Sequence, residues 1–271
     1  GVATGYSGTV KFTEDDVRST AAEMCNGRAC AVSEDYLLKG ARLYHALKAQ
    51  IEANGFTSVA IKCWPELLDR SIGIAACLPM SLLLAKGDVT AAGCESDCAT
   101  TVMQTLGTLL SGKPAACLDF VDYTGRCEIV ELGHCGVGIP DLMADGEVID
   151  YKSPDRQGGA LNAPALVGQF AYGPKTGLAV APDGGDGLKI LCFTGENTPE
   201  SARNKRYAAA DVIVKNYGEL NHLIITHGFP HHLAVAMGDI CREVEAVCQF
   251  LGVEYLAPGL QGKDGDYAAC Y

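Results

Sequence analysis

The sequence predicts an α/β part followed by a mainly-β part, with the change near residue 112. Two observations carry this expectation. Up to that point amphipathic helical patterns alternate with short apolar runs, the texture of a parallel sheet with helical crossovers. Beyond it, runs at 127–132, 177–181 and 188–193 are short and separated by Gly, Pro, Asp and Asn, as in the antiparallel strands of a barrel or sandwich. A hydrophobic content of 48% over 271 residues gives each part material for a core of its own.

Each element has a local reason. Thr13 is a capping residue, Glu14, Asp15 and Asp16 favour a first helical turn, and Asn26-Gly27 stops that helix. Ser33 opens a second helix whose apolar face is Leu37, Ala41, Tyr44, Leu47 and Ile51, and Asn54-Gly55 ends it. Residues 58–64 form a short apolar strand, Pro79 starts a helix that stops near Gly87, and 91–94 is a second strand. A helix pattern returns from Asp97 to Leu110 and ends at Ser111-Gly112; 116–121 is strand-like. This order predicts a partial, Rossmann-like α/β domain over 1–112 and an antiparallel β-barrel-like domain over 113–271. Within the second, Ser153 to Asn162 reads as a polar loop, and Gly184-Gly185-Asp186-Gly187 as a hairpin turn. A late helix runs from Asp239 to about Leu251, its apolar face built on Ile240, Val244, Val247, Cys248 and Leu251.

The balance of 21 basic and 33 acidic residues leaves a formal charge of 21 − 33 = −12, with no basic run. Such a chain repels nucleic acid and anionic membrane surfaces. No stretch reaches the roughly 20 apolar residues that span a bilayer. The thirteen cysteines include no Cys-x-x-Cys pair, and most sit among apolar neighbours, as in Ala75-Ala76-Cys77-Leu78. They read as buried free thiols in a reducing cytoplasm, with no disulfide framework. Gly1 stands where a processing boundary would. The chain lacks a complete dinucleotide glycine loop, a phosphate-binding loop followed by Lys-Ser or Lys-Thr, and a Gly-x-Ser-x-Gly elbow.

Chemistry concentrates at four positions. His227-Gly228-Phe229-Pro230-His231-His232 holds three of the six histidines between the apolar stretches 223–225 and 233–237. Neutral imidazole is a common transition-metal ligand, and apolar flanks place it at the end of buried strands. Neighbours on a strand point to opposite faces, so His231 and His232 both serve one ion only if the backbone turns there, and at most one of the pair is the expected ligand. Glu95 follows a strand, Asp119 lies inside an apolar run, and His134 sits between Gly133 and Cys135. Burying a lone carboxylate is costly, and coordination to a cation offsets that cost. Two carboxylates with one or two imidazoles suit Mn²⁺ or another borderline divalent cation. Bland alternatives stay open: Glu95 as an acid at a helix start, Asp119 as a turn residue, His134 as a loop histidine and the histidine run as a polar turn. Cys135 beside His134 also allows a thiol-nucleophile reading.

In order and spacing, Ile61-Lys62-Cys63-Trp64-Pro65-Glu66, Gly93-Cys94-Glu95-Ser96-Asp97, Leu118-Asp119-Phe120, His134-Cys135-Gly136 and His231-His232 resemble the L-fucose isomerase and L-arabinose isomerase superfamily, its fucose isomerase-like branch above all. The resemblance covers roughly residues 58 to 255 and includes a Glu95 to Asp119 separation of 119 − 95 = 24. It implies a Mn²⁺-dependent aldose–ketose isomerase working through an enediol. Glu95 and Asp119 would be both metal ligands and the acid/base pair, His232 a ligand, and His134 a further ligand as in the arabinose branch. His231 would face substrate. From the residues themselves, Trp64 and Tyr172 offer rings that can stack on a sugar, with core packing as the commoner role of a single aromatic. The resemblance also implies a homo-oligomer, trimer or hexamer, and a C-terminal portion lacking a first N-terminal domain, which a separate fragment would supply. A non-catalytic sugar-binding or assembly module of the same fold is the alternative.

Overall fold

The computed structural model describes residues 12–25, 27–63, 67–68, 73–122, 128–154, 160–202 and 207–260; of residues 122, 150–154 and 160–163 only the backbone is described. In chain order the elements are α1 (Glu14–Cys25), α2 (Glu34–Asn54), β1 (Ser58–Ile61), α3 (Cys77–Ala85), β2 (Ala91–Cys94), α4 (Cys98–Ser111), β3 (Ala116–Asp122), β4 (Ile129–His134), a 3-10 turn (Pro140–Leu142), β5 (Glu147–Pro154), β6 (Ala160–Gln169), β7 (Gly173–Pro182), β8 (Leu188–Asn197), β9 (Ala208–Ala209), β10 (Val212–Ile213), α5 (Tyr217–His227), β11 (His232–Met237), α6 (Cys241–Leu251) and β12 (Glu254–Leu256). They fall into two compact units. No helix among the described residues is long and apolar enough to cross a membrane.

The first unit draws on Gly1–Cys98, Cys135–Phe170 and Lys205–Ala208. β1 and β2 run parallel, pairing Ser58 with Ala91 and Ile61 with Cys94, and α3 is the crossover between them. α3 is apolar on every side and almost wholly buried, as a crossover enclosed by other elements must be. α2 packs on α1 and α3, and Gly40 lies against Met24 of α1 and against Ile74, which precedes α3. Gly55 ends α2 in the left-handed conformation, returning its N–H to the Ile51 carbonyl. β5 and β6 form an antiparallel ladder that pairs Glu147 with Val167 and Pro154 with Ala160. The expected 153–162 loop is thus shorter: strand occupies both of its ends, and 155–159 lie outside the described residues. Cys25 and Cys30 form a disulfide, where the sequence predicts free thiols.

The second unit comprises Ala99–His134, Ala171–Asn204 and Ala209–Tyr271. Its centre is a closed antiparallel barrel with the strand order β4-β3-β11-β7-β8-β10, in which β10 returns to pair with β4. Closure leaves no edge among these six strands. Alternation sends Leu118, Ala179, Leu191, Phe193, Leu233 and Val235 to the enclosed face, where all are buried. The other face carries Leu178, Val180, Ile190, Cys192, Ala234 and Ala236, packed against Met103 of α4 and Val244 and Cys248 of α6. β12 adds to β8 in parallel. The hairpin between β7 and β8 turns at 183–187, where Asp183 accepts hydrogen bonds from Gly185 and Gly187.

Lys175 sits buried on β7, its ammonium donating to the carbonyls of Ala171 and Gly173. Burial pushes its pKa down to about 8, against the pull of Glu196 and with help from Lys113. An unfolded chain titrates its lysines near about 10.4, so between these values the unfolded state holds more protons and stability rises with pH. We expect urea melts between pH 8 and 10 to show this rise in the native chain, and Lys175→Met to lose it. Parallel pH profiles for the two proteins would contradict the assignment.

Candidate functional site

The site grows out of one register. β3 and β11 pair His232 with Asp119 and Leu233 with Leu118, while β3 and β4 pair Asp119 with Gly133. Asp119 is therefore flanked by a histidine directly across one ladder and by the end of β4, at His134, on the other. The Asp119 Oδ1 atom lies 3.2 Å from Nε2 of His232 and 3.9 Å from Nε2 of His134. The two imidazole rings stand 5.6 Å apart. Both histidines are buried, at 4% and 6% exposure, while the Asp119 side chain keeps 30%, so one edge of the cluster faces outward.

The chain between α5 and β11 places the remaining donor. Gly228 caps α5 in the left-handed conformation at φ 65°, and Phe229 returns its N–H to the Ile224 carbonyl. Pro230 leads into a bend at His231, and β11 begins only at His232. The main chain of His231 still joins the ladder, its carbonyl accepting the Phe120 N–H at 3.0 Å. Because His231 precedes the regular strand, strict alternation does not separate the pair, and the rings of His231 and His232 lie 4.3 Å apart. Nitrogens of His231 and His232 and a carboxylate oxygen of Asp119 all lie within 4.8 Å of one another. The backbone turns at this bend, which is the condition under which both members of the pair can serve one ion. Its sequence signal was Pro230, which interrupts the strand pattern just before the pair.

The other expected positions divide. Glu95 belongs to the first unit, exposed at the end of β2, with φ 56° at Glu95 and 59° at Ser96. Non-glycine residues in the left-handed region cost about 1 kcal/mol or more each, and such strain gathers at functional turns. Tyr172 does not join the cluster. The β7–β11 ladder pairs Leu178 with Ala234 and Lys175 with Met237, so Val180 is level with His232 and Tyr172 lies eight residues further along. That is about 26 Å of strand. Tyr172 is half-exposed beyond the opposite end of β11. Trp64 lies outside the described residues. His227 is the last residue of α5, its ring 6.5 Å from Phe229, a cation-favouring position at a helix C-terminus. A recess of about 560 Å³ in the second unit is lined by Cys192, Cys241, Arg242, Glu245 and Tyr255, and by none of the cluster residues.

One carboxylate and two or three imidazoles form a donor set that fits a divalent transition-metal ion, in the pattern of two histidines and one acid that leaves positions open for oxygen ligands. The pairing of a carboxylate with imidazoles also provides groups that exchange protons with a substrate.

Comparison with known proteins points to one kind of enzyme. The chain is 26% identical over 259 residues to a sulfoquinovose isomerase of Clostridium sp. (strain MSTE9), a match covering 90% of this chain and 54% of that protein. It is 24% identical over 211 residues to a sulfoquinovose isomerase of Alkalicoccus urumqiensis, covering 76% of this chain and 45% of that protein. The chain thus spans about half the length of the curated relatives it matches. Both relatives are named as sugar isomerases, and no family model matches the chain.

Proposed function

We propose that this chain carries the metal-binding catalytic part of an aldose–ketose isomerase, acting with Mn²⁺ or a similar divalent cation on a sulfonated or fucose/arabinose-type sugar. The observation that carries the reading is the convergence of Asp119, His231 and His232 on one another. The names of the relatives support the reaction class, and the motif order of the sequence supports the fucose isomerase-like branch.

Asp119, His231 and His232 would hold the ion, with His134 beside them. When bound, the ion polarises the carbonyl and neighbouring hydroxyl of the sugar and lowers the barrier to enediol formation. One carboxylate takes the C2 proton of the open-chain aldose while O1 gains a proton, giving the enediol. Return of a proton to C1 and loss of the O2 proton then complete the ketose. We assign this shuttle to Asp119, the acid of the triad. The imidazoles keep the Asp119 carboxylate aimed, since a base must sit within hydrogen-bond reach of its proton. The proposal includes a homo-oligomer or a partner fragment completing the enzyme.

The test incubates the chain with Mn²⁺ and sulfoquinovose, L-fucose or D-arabinose, and follows ketose by NMR while calorimetry follows Mn²⁺ binding. Ketose formed only with metal is the expected result. Sugar binding indifferent to Mn²⁺ would favour the binding-module alternative. Absence of both ketose and Mn²⁺ binding would end the proposal.

A further inference from the structure

The recess of about 560 Å³ in the second unit holds in its wall a pair of thiols that the isomerase reading does not use. Cys192 lies on β8 opposite Leu178 of β7, on the barrel face that packs against α6. Cys241 is the first residue of α6. Their Sγ atoms stand 3.3 Å apart across 49 residues of chain, with the Cys192 thiol donating to the Cys241 sulfur. A disulfide spans about 2.05 Å, so an approach of about 1.2 Å turns this contact into a bond. The start of α6 is held over β8 from two sides. On one, the Ile240 N–H donates to Oγ1 of Thr176 at 3.0 Å, and that hydroxyl donates to the Gly238 carbonyl at 2.8 Å. On the other, the Tyr255 hydroxyl donates to the Cys241 carbonyl at 3.3 Å, and Tyr255 is level with Ile190 where β12 joins β8. The barrel frame therefore sets the distance between the two sulfurs.

The two sulfurs differ in what can reach them. Cys192 is fully buried, at 0% exposure, while Cys241 is half-buried and partly open to the recess. Contact with Cys241, and after it burial, hold the Cys192 thiol above its ordinary pKa, so the proton stays on Cys192. An incoming reagent thus meets Cys241 first and finds Cys192 directly behind it. The charges around the recess narrow the class of reagent. Lys215 and Arg242 stand among Glu196, Asp239 and Glu245, so the wall offers no excess of positive charge to gather an anion. A small neutral electrophile enters without that help.

We propose that Cys192 and Cys241 form a reversible oxidation site for a hydroperoxide, with Cys241 as the sulfur that is oxidised and Cys192 as the thiol that resolves it into a disulfide. In the first step a bond forms between the Cys241 sulfur and a peroxide oxygen while the O–O bond breaks. The departing hydroxide takes the Cys241 proton as water, or as an alcohol from an organic hydroperoxide, and leaves a sulfenic acid. In the second step the Cys192 sulfur attacks the Cys241 sulfur, the S–O bond breaks, and hydroxide leaves with the Cys192 proton as water. Two thiols have then given two electrons to the peroxide, and a dithiol returns them by exchange. Because the resolving thiol is already in contact, the sulfenic acid is captured before a second peroxide carries it to the irreversible sulfinic acid. The disulfide fastens the start of α6 to β8 and makes that wall of the recess covalent. The site shares no residue with the isomerase centre and stands whether or not that reading holds.

The experiment reduces the whole chain, removes the reductant and adds hydrogen peroxide with EDTA present. About two equivalents suffice for this pair and for Cys25–Cys30. The remaining thiols are alkylated, and the digest is mapped by mass spectrometry. A peptide pair joined through Cys192 and Cys241 is expected, with loss of both as alkylated thiols and their return after dithiothreitol. In Cys192→Ser, dimedone should label Cys241 as its sulfenic acid; in Cys241→Ser, Cys192 should stay a thiol. Should either variant not fold, the native chain decides: brief iodoacetamide treatment of the folded protein should label Cys241, spare Cys192 and prevent the joining. Recovery of both as alkylated thiols while the exposed Cys98 is oxidised overturns the proposal, as does Cys241 joined to a different cysteine. Dimedone on Cys192 in Cys241→Ser, or iodoacetamide reaching Cys192 first, overturns the division of roles.

Discussion

Asp119→Asn is expected to weaken Mn²⁺ binding by about two orders of magnitude or more and to abolish ketose formation in the chain that supports it. The substitution preserves shape and removes charge. Asn occupies the same place opposite His232 in the β3–β11 register, so the ladder survives. What disappears is the carboxylate oxygen of a donor set that otherwise consists of imidazoles. Loss of an outer-shell partner alone typically costs about 10–100-fold in metal affinity, and loss of the only carboxylate in the Asp119–His231–His232 triad should exceed that. His232→Gln should fall in the same range, because its ring is 3.2 Å from the Asp119 oxygen. His227→Gln is the control. It lies in the same histidine-rich run, yet belongs to the end of α5 and turns toward Phe229, so its Mn²⁺ titration should match the native chain. Calorimetric titration of the four proteins reads this out. Equal affinity in Asp119→Asn and the native chain would show that the carboxylate holds no ion.

The pattern of success and failure in reading the chain has physical causes. Ser33 precedes α2 without a side-chain capping bond, acids fill its first turn, and Gly55 closes it in the left-handed conformation, a stop that residue identity specifies locally. The 91–94 strand and the 184–187 turn are legible for the same reason. α5 is not. Leu223-Ile224-Ile225 reads as a strand flank since branched residues favour strands, yet Tyr217, Leu220, Leu223 and Ile224 are the buried face of a helix. Asp119 and His232 are recognisable because polar groups inside apolar runs need partners. Their pairing is a matter of register, which period-two patterning in two distant segments does not specify. The closeness of His231 to Asp119 depends on a bend after Pro230 that suspends alternation, and the place of Tyr172 beyond the far end of β11 depends on register, which an aromatic side chain does not specify.

Gly177→Ala should be among the most destabilising small substitutions in the barrel and should reach the Asp119–His232 cluster through an aromatic pair. Gly177 faces Phe193 across the β7–β8 ladder, and the ring lies over the bare glycine backbone. A methyl group there would stand 2.3 Å from Cζ and 2.4 Å from Cε1 of Phe193, far inside van der Waals contact. Phe193 is buried on the enclosed face, so its ring has little room to move away, and overpacking of this kind costs about 1–3 kcal/mol or somewhat more. The displaced ring meets Phe120, with which it stacks at 6.0 Å between centroids. Phe120 follows Asp119, and its N–H is bonded to the His231 carbonyl, so the same push reaches the hydrogen bond that aligns the donors. Urea melts should therefore show a loss of about 3 kcal/mol, and calorimetry a weaker Mn²⁺ affinity of up to roughly tenfold. Phe193→Leu alone leaves a cavity and costs about 1 kcal/mol, but in the Gly177→Ala background it removes the colliding ring. The two changes together should cost less than their sum by more than 1 kcal/mol, the non-additivity that residues in contact show. Strictly additive losses, or a Gly177→Ala protein as stable as the native chain, would mean that the ring does not rest on that glycine and that the barrel interior is not coupled to Asp119 in this way.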